Sequence, residues 1–361
     1  MKKLICLAGL LACSGDKAEE RVSGDTGLDP LSWPLDEPGP FQIGYQSWDH
    51  NYSLGDVLGE RTIRIHLWYP TEETSGPVGE YTVGTDPKVI AEADLAPAAH
   101  EGGYPVHVHS HGDLDLGSGS AFLSRHLSSH GWVSVAMDHT GNTLLDLTAS
   151  PQAANFFHRP LDVRAALNAV DGFEPLGGLA DTDRVVLSGH SRGAYTTWSS
   201  LGASYDQESV AQMCATGDSL DGDVCTQEER AMFETDLSDP RVVATIPLDG
   251  TLRRTWFGAT GEASIRGPVL YFSPEDSNGS QQQFDGLADI DFTWVQLEGA
   301  CHQSFANGGC TSLDTEVGFG LVSAMSLAFS RTIILGDVGS HSVGLLSGDV
   351  EISDLVSILH R

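Results

Sequence analysis

A serine flanked by glycines constrains this chain of 361 residues more than any other feature. The segment reads Gly189-His190-Ser191-Arg192-Gly193 and lies between the apolar run Arg184–Ser188 and the stretch Ala194–Leu201. The apolar run is typical of a buried strand, and the stretch after the serine favours a helix. Glycines permit a turn so tight that side chains at 189 and 193 would clash with the neighbouring strand and helix. The pattern therefore predicts a strand, a sharp turn that exposes the Ser191 hydroxyl, and a helix.

The rest of the chain alternates short strands with helices. The other predicted strands are Arg61–Pro70, Pro105–Ser110, Gly131–Met137, Arg241–Leu248, Pro268–Phe272 and Phe292–Leu297. The other predicted helices are Ala121–Ser129, Pro160–Val170 with Pro160 in its first turn, and Leu313–Ala328. This alternation predicts an α/β fold, with a mostly parallel central sheet and helices on both faces. An acidic segment at about 205–240 interrupts the alternation after the nucleophile helix, where an insert can act as a lid.

The charge balance excludes one class of partner. The chain has 50 Asp and Glu residues against 19 Lys and Arg, a net charge of −31. Such a surface repels the phosphate backbone of nucleic acids and anionic lipids, so nucleic-acid binding is not expected. The hydrophobic share of 40% is sufficient for a large core.

The amino terminus has the pattern of an export signal. Residues 1–12 combine a basic start with the apolar run Leu4–Ala12, which is too short to span a bilayer. Leu10-Leu11-Ala12-Cys13 resembles a bacterial lipobox, which predicts a lipid on Cys13; the alternative is an ordinary signal peptide with an incidental cysteine. Residues 13–40 are expected to be a tether and residues 41–361 the folded domain. We therefore expect an exported lipoprotein of the cell envelope or outer membrane, or a secreted protein, with membrane contact only through the lipid.

Four further cysteines remain after Cys6 and Cys13 are assigned to the signal and the lipid. They are Cys214, Cys225, Cys301 and Cys310. An even number in an exported protein predicts disulfides, and four cysteines allow three pairings. The local pairs Cys214–Cys225 and Cys301–Cys310 are favoured because each closes a short loop. A metal site is the alternative, but no pair has the two-residue spacing typical of zinc ligands.

A nucleophilic serine needs a general base, and the base needs an orienting carboxylate. When the serine lies on a strand–turn–helix, the residues follow in the chain order serine, acid, histidine. Only His302, His341 and His360 follow Ser191. His302 lies in the loop after the predicted strand Phe292–Leu297, whereas the other two lie in the expected C-terminal tail. His302 is therefore the predicted base.

Two carboxylates are candidates for the orienting acid. Asp249 ends the strand Arg241–Leu248, and Asp276 follows the next strand. An anionic transition state also needs hydrogen-bond donors, which are expected from backbone N–H groups. Arg192, directly after the serine, supplies one at a helix start. Asp113, after the Gly112 that lets the backbone approach the substrate, is expected to supply the other.

Two other sequence patterns are weak candidates for metal sites. His107, His109 and His111 alternate on one strand, which places imidazoles on one face, but further ligands have no clear motif. The acidic loop Asp218–Asp223 suggests calcium, yet it does not follow the EF-hand register. We expect no metal and no cofactor.

Motifs from about residue 60 to 306 together resemble a known group. They are Leu67-Trp68-Tyr69-Pro70, Ser110-His111-Gly112, Asp138–Thr143, Arg159–Val163, Gly189–Gly193, Leu248-Asp249-Gly250 and His302–Phe305. The chain resembles the α/β-hydrolases related to plasma-type platelet-activating-factor acetylhydrolase and their bacterial dienelactone-hydrolase-like relatives. In the acetylhydrolase branch the acid follows the strand that comes immediately after the nucleophile strand, which matches Asp249. Polyester- and lipase-like relatives have the acid one strand later, near Asp276. True dienelactone hydrolases have cysteine in place of Ser191, and relatives usually have a small or apolar residue in place of Arg192.

These patterns predict a serine-dependent carboxylic ester hydrolase that acts on a small or lipid-like ester. The alternatives of the same fold are a lipase, a polyester hydrolase and a phospholipid acetylhydrolase. Alternatives of other classes are a non-catalytic binding protein on a hydrolase scaffold and a metal-dependent hydrolase that uses the histidine-rich strand. The sequence does not indicate the acyl chain length, the leaving group or the oligomeric state.

Overall fold

The computed structural model describes residues 29–361 except 57, 147–152, 217–224, 253, 276 and 278. In these ranges the framework is an 11-stranded sheet. The strands are β1 (Gln42–Ser53), β2 (Glu60–Thr71), β3 (Val78–Glu80), β4 (Thr85–Ala91), β5 (Tyr104–Ser110), β6 (Val133–Asp138), β7 (Ala180–His190), β8 (Val242–Leu248), β9 (Val269–Pro274), β10 (Phe292–Leu297) and β11 (Val356–His360).

Helices cover both faces of this sheet. They are α1 (Ala121–Ser129), α2 (Asn155–Asp171), α3 (Arg192–Ser200), α4 (Gln207–Thr216), α5 (Gln227–Met232), α6 (Arg254–Ser264), α7 (Ser280–Gly286), α8 (Thr315–Ser330) and α9 (Ser340–Ser347). The segment Thr315–Leu335 is long and apolar enough to cross a membrane, but 67% of its most apolar window is buried inside the protein. It packs against α1 and α9, as the core helix of a folded domain does.

The strand order places the carboxyl ends of the central strands at one edge. The order is β11-β10-β9-β8-β7-β5-β6-β2-β1-β4-β3, and all neighbours from β6 to β10 are parallel. The chain leaves β5 toward β6 and returns on the other side as β7. In open α/β sheets, ligands bind beyond the carboxyl ends of the strands at such a reversal. The segment after β5 and the turn after β7 meet at this point.

The core lies in two layers because side chains of a strand point alternately to opposite faces. Val185 and Leu187 of β7 belong to the cluster that includes the apolar residues of α2. Val186, between them, belongs to the cluster that includes the apolar residues of α1 and α8. All three side chains are fully buried, as expected for a central strand covered on both faces.

The predicted position of Pro160 at a helix start is wrong. The helix begins earlier, at Asn155, so Pro160 lies inside it. Proline has no N–H, so the carbonyl of Phe156, four residues earlier, loses its helical partner. The hydroxyl of Tyr205 donates to this carbonyl at 3.1 Å and replaces the missing hydrogen bond. A side chain from outside the helix therefore satisfies the backbone group that Pro160 leaves open.

Both ends of the described chain are more ordered than the sequence patterns predicted. In the last part of the expected tether, Trp33 and Leu35 are buried, and the Trp33 carbonyl accepts a hydrogen bond from Arg331 at 3.0 Å. The expected C-terminal tail is also wrong, because His341 lies in α9 and His360 in β11, which pairs antiparallel with β10. Elements this short are marginal in isolation, and they form because a packed neighbour is present.

Candidate active site

Ser191 occupies a strained turn between β7 and α3. Its φ of 54° and ψ of −112° lie in a region that residues with a Cβ rarely adopt. A Cβ on Gly193 would collide with the carbonyl oxygen of Ser110, and one on Gly189 would collide with the carbonyl of Gly193. The two glycines therefore let α3 start directly against β5 and β7. Ser191 is left half-buried at the carboxyl end of β7.

The loop after β8 lies directly beside this turn. The Ser191 N–H donates to the carbonyl of Leu248 at 2.9 Å, and a Cβ on Gly250 would lie 2.6 Å from the Ser191 carbonyl oxygen. Asp249, between them, has a left-handed φ of 46°. This conformation is costly for a residue with a Cβ, so the packing around Gly250 and Ser191 must hold it.

His302 lies beside Asp249, one of the two candidate acids. It begins a 3-10 turn after β10, and its Nδ1 is 2.6 Å from Oδ2 of Asp249. The His302 side chain is 46% exposed and that of Asp249 is 13% exposed. The carboxylate therefore fixes one ring nitrogen of His302, while the ring remains accessible from outside.

His190 holds the backbone of His302 in place. Its Nε2 donates to the His302 carbonyl at 2.9 Å, and the two rings lie 4.5 Å apart. Burial and the neighbouring His302 lower the pKa of His190 to about 4, so it is neutral at physiological pH. Within the described ranges no hydrogen bond joins the Ser191 hydroxyl to the His302 ring. Catalytic hydrogen bonds often tighten only when substrate is bound.

The alternative acid, Asp276, lies outside the described residues. The structure thus places Asp249 against His302 and gives no position for Asp276. The acidic loop Asp218–Asp223 also lies outside the described residues, and so does Cys13.

The segment after β5 touches the serine turn. A Cβ on Gly112 would lie 2.9 Å from Nδ1 of His190 and 3.6 Å from Cβ of Ser191. Asp113 follows Gly112, and in the described part of the chain its N–H has no hydrogen-bond partner. Arg192 is the first residue of α3, where backbone N–H groups point away from the helix. The two predicted donors, Asp113 and Arg192, therefore come from segments on either side of Ser191.

The two histidines of β5 are bound to a serine. His107 Nε2 and His109 Nδ1 lie 2.8 Å and 2.7 Å from the hydroxyl of Ser188. Burial lowers the pKa of His107 to about 3 and that of His109 well below its usual value. Among the residues with described positions, no group of three or more metal-ligating side chains is present. His111 is directed elsewhere, with Nδ1 2.7 Å from the carbonyl of Gly112.

Among the described residues, two disulfides are present, Cys214–Cys225 and Cys301–Cys310. The second encloses the turn that carries His302. A disulfide across a short loop contributes about 3 kcal/mol in the chain-entropy model.

We expect loss of the Cys301–Cys310 bridge to reduce kcat about tenfold, because a base displaced by a fraction of an ångström loses its alignment. The double replacement Cys301→Ser with Cys310→Ser tests this with a chromogenic ester. Its matched control, Cys214→Ser with Cys225→Ser, removes a bridge elsewhere and is expected to keep kcat within about twofold. Equal losses in both variants, or non-reduced peptides that join Cys214 to Cys301 or Cys310, would contradict this assignment.

Sequence reasoning missed two residues that support the site. Arg159 of α2 is buried, with 1% of its surface exposed, and it donates to the carbonyls of His111 and Gly112. Asn142 accepts from Arg159 and donates to Asp113. Both residues lie in motifs that carry the family resemblance, Arg159–Val163 and Asp138–Thr143, but these motifs indicated no role because the partners of Arg159 are backbone carbonyls remote in sequence.

Comparison with known proteins finds a similarity in fold but none in sequence. No protein-family model matches the chain, and comparison with curated proteins finds no sequence match. Among solved structures, the chain is similar to a ferulic acid esterase from Streptomyces cinnamoneus, with a TM-score of 0.60 and 18% identity. The match covers 92% of this chain and 98% of the esterase. At this identity the likeness shows a shared α/β fold, with a large and mostly parallel sheet covered by helices.

Proposed function

We propose that this protein is a serine-dependent carboxylic ester hydrolase. The observation that carries the proposal is the 2.6 Å contact between His302 Nδ1 and Asp249 Oδ2 beside the strained turn of Ser191. The similarity in fold to a ferulic acid esterase supports an ester as the substrate. The resemblance to platelet-activating-factor acetylhydrolases supports Asp249 as the acid.

The proposed reaction proceeds through an acyl-enzyme. His302 Nε2 takes the proton of the Ser191 hydroxyl as Oγ forms a bond to the ester carbonyl carbon. The N–H groups of Asp113 and Arg192 stabilise the oxyanion. The bond to the leaving alcohol then breaks, and His302 returns the proton to that alcohol. Water, activated by the same base, releases the acid and restores Ser191.

Asp249 acts by fixing the ring of His302. Its carboxylate accepts the Nδ1–H, which leaves Nε2 as the proton acceptor toward Ser191. The same contact stabilises the imidazolium that forms during proton transfer. Both effects require an anionic oxygen at this position.

The substrate is proposed to be a small or lipid-like ester. A lipase or polyester hydrolase is the alternative within the same chemistry, and the segment that carries α4 and α5 could act as a lid over such a substrate. A panel of p-nitrophenyl esters from acetate to palmitate, together with methyl ferulate, tests these possibilities. Turnover in the presence of a chelator is expected, since no metal takes part. A complete lack of turnover on every ester would favour a non-catalytic binding protein.

We further propose that the protein is exported and attached to a membrane through Cys13. The two disulfides are compatible with export, because such bonds persist in oxidising compartments. Cys13→Ser is expected to abolish lipid attachment and release the protein from the membrane fraction or block its processing. Cell fractionation and labelling with a fatty-acid analogue measure this, with Cys6→Ser as the control. Membrane association of the Cys13 variant equal to that of the wild type would contradict the proposal.

A further inference from the structure

We propose that the side chains of Asp113 and Arg192 form a latch that fixes the distance between the two oxyanion donors, and that Arg159 and Asn142 anchor this latch. The inference rests on the proposed ester hydrolysis and assigns positioning residues to it. It concerns side chains, whereas the donors themselves are backbone N–H groups of Asp113 and Arg192.

The latch is an ion pair between the two segments that flank Ser191. Nε of Arg192 lies 2.8 Å from Oδ1 of Asp113. The guanidinium of Arg192 also lies 5.0 Å from the centre of the Phe156 ring, within the range of a cation–π contact. The Arg192 side chain is 9% exposed and that of Asp113 is 40% exposed. The arginine is therefore held by packing, and the carboxylate reaches it from the solvent side.

Arg159 holds the peptide that carries one donor. Its Nη2 donates to the carbonyl of Gly112 at 2.9 Å, and its Nη1 donates to the carbonyl of His111 at 2.5 Å. The carbonyl of Gly112 and the N–H of Asp113 belong to one planar trans peptide, in which they point in opposite directions. Fixing the carbonyl toward α2 therefore directs the Asp113 N–H away from α2.

Asn142 joins this anchor to the latch. Its Oδ1 accepts from Nη2 of Arg159 at 2.5 Å, and its Nδ2 donates to Oδ1 of Asp113 at 2.7 Å. Oδ1 of Asp113 thus accepts a hydrogen bond from Asn142 and also forms the ion pair with Arg192. The contacts therefore connect the buried Arg159 of α2, through Asn142 and Asp113, to Arg192, the first residue of α3.

The guanidinium of Arg159 stays positively charged although it is buried. Burial and the nearby Arg192 lower the pKa of Arg159 to about 9, which still leaves it protonated at neutral pH. A guanidinium suits this position because its planar array of donors reaches several oxygens at once. An ion pair with a partly exposed carboxylate contributes little free energy by itself, so the hydrogen bond from Asn142 is needed to restrict where Asp113 can move.

A different role for Arg192 would be to bind an anionic group of the substrate directly. The ion pair of its guanidinium with Asp113 favours the latch, because its charged partner is also the residue that supplies the other proposed oxyanion donor. The two roles differ in kinetics. A substrate-binding arginine affects KM for anionic substrates, whereas a latch affects the transition state and therefore kcat.

The test compares Arg192→Met, Asp113→Asn and the double variant on neutral p-nitrophenyl esters. Each single variant is expected to lower kcat about tenfold to a hundredfold and to keep KM within about twofold. Displaced oxyanion donors weaken the stabilisation of the transition state and leave substrate binding unchanged. The double variant is expected to match the worse single variant, since both replacements break one contact. Affinity for a trifluoromethyl ketone, which forms an oxyanion on Ser191, should fall in parallel with kcat.

The control variant is Arg241→Met, which removes an ion pair of 2.7 Å with Asp239 at the amino end of β8. It is expected to keep kcat within about twofold. The latch is overturned if Arg192→Met keeps wild-type kcat, if the losses of the single variants multiply in the double variant, or if only KM changes. Failure of the proposed function is distinguishable, because the wild type would then neither hydrolyse esters nor react at Ser191 with an organophosphonate.

Discussion

Ser191→Ala is expected to lower kcat for ester hydrolysis about a million-fold, as loss of a triad nucleophile does in a well-studied serine hydrolase. Only the hydroxyl is removed, and in the described residues it makes no hydrogen bond that supports the fold. The measurement is turnover of p-nitrophenyl acetate, with thermal unfolding to show that the variant is folded. Because alanine and serine both have a Cβ, the backbone strain at this positive φ is the same in the variant, and the free energy of unfolding should change little.

The control for this variant is Ser357→Ala, an exposed serine of β11 purified in the same way. It is expected to have wild-type activity, which shows that the purification does not itself inactivate the protein. Turnover of Ser191→Ala within about tenfold of the wild type would rule out Ser191 as the nucleophile.

Asp249→Asn is expected to lower kcat about ten-thousand-fold, as the equivalent change does in a serine protease. The amide is nearly the same size as the carboxylate, so packing is preserved. It cannot hold the His302 tautomer or stabilise the imidazolium, however, and the 2.6 Å contact loses its charge. Steady-state kinetics of this variant measure the effect.

Asp276→Asn is the matched control, because Asp276 follows the next strand and is the other candidate acid. It is expected to lower kcat far less than Asp249→Asn. A larger loss in Asp276→Asn would assign the acid to the later strand and favour the lipase-like comparison.

The central part of the fold was predictable because its strands contain short runs rich in apolar residues. Helix α1 has the bounds that the sequence predicts, since its apolar residues recur with helical spacing next to Gly131. Strand β1 was missed because its twelve residues include Gln42, Asp49 and His50 and are mostly half-buried or exposed. It forms through pairing with β2 along its whole length, which local patterns do not encode.

Chain order restricted the base to His302, and the strand ends restricted the acid to Asp249 or Asp276, of which the family resemblance favoured Asp249. The left-handed backbone of Asp249 was not predictable, since nothing in its local sequence requires a positive φ. The role of Arg159 was also not predictable. It lies 47 residues from Gly112, and an interaction with a backbone carbonyl leaves no recognisable residue type at the other position.

The central claim is that Ser191 is an activated nucleophile. Its most direct test is to treat the wild type with a fluorophosphonate and map the modified peptide by mass spectrometry, with Ser191→Ala alongside. We expect about one phosphonyl group per protein, located on Ser191, together with loss of esterase activity, and no labelling of the alanine variant. Labelling at another residue, or full esterase activity in protein that remains unlabelled, would contradict the assignment.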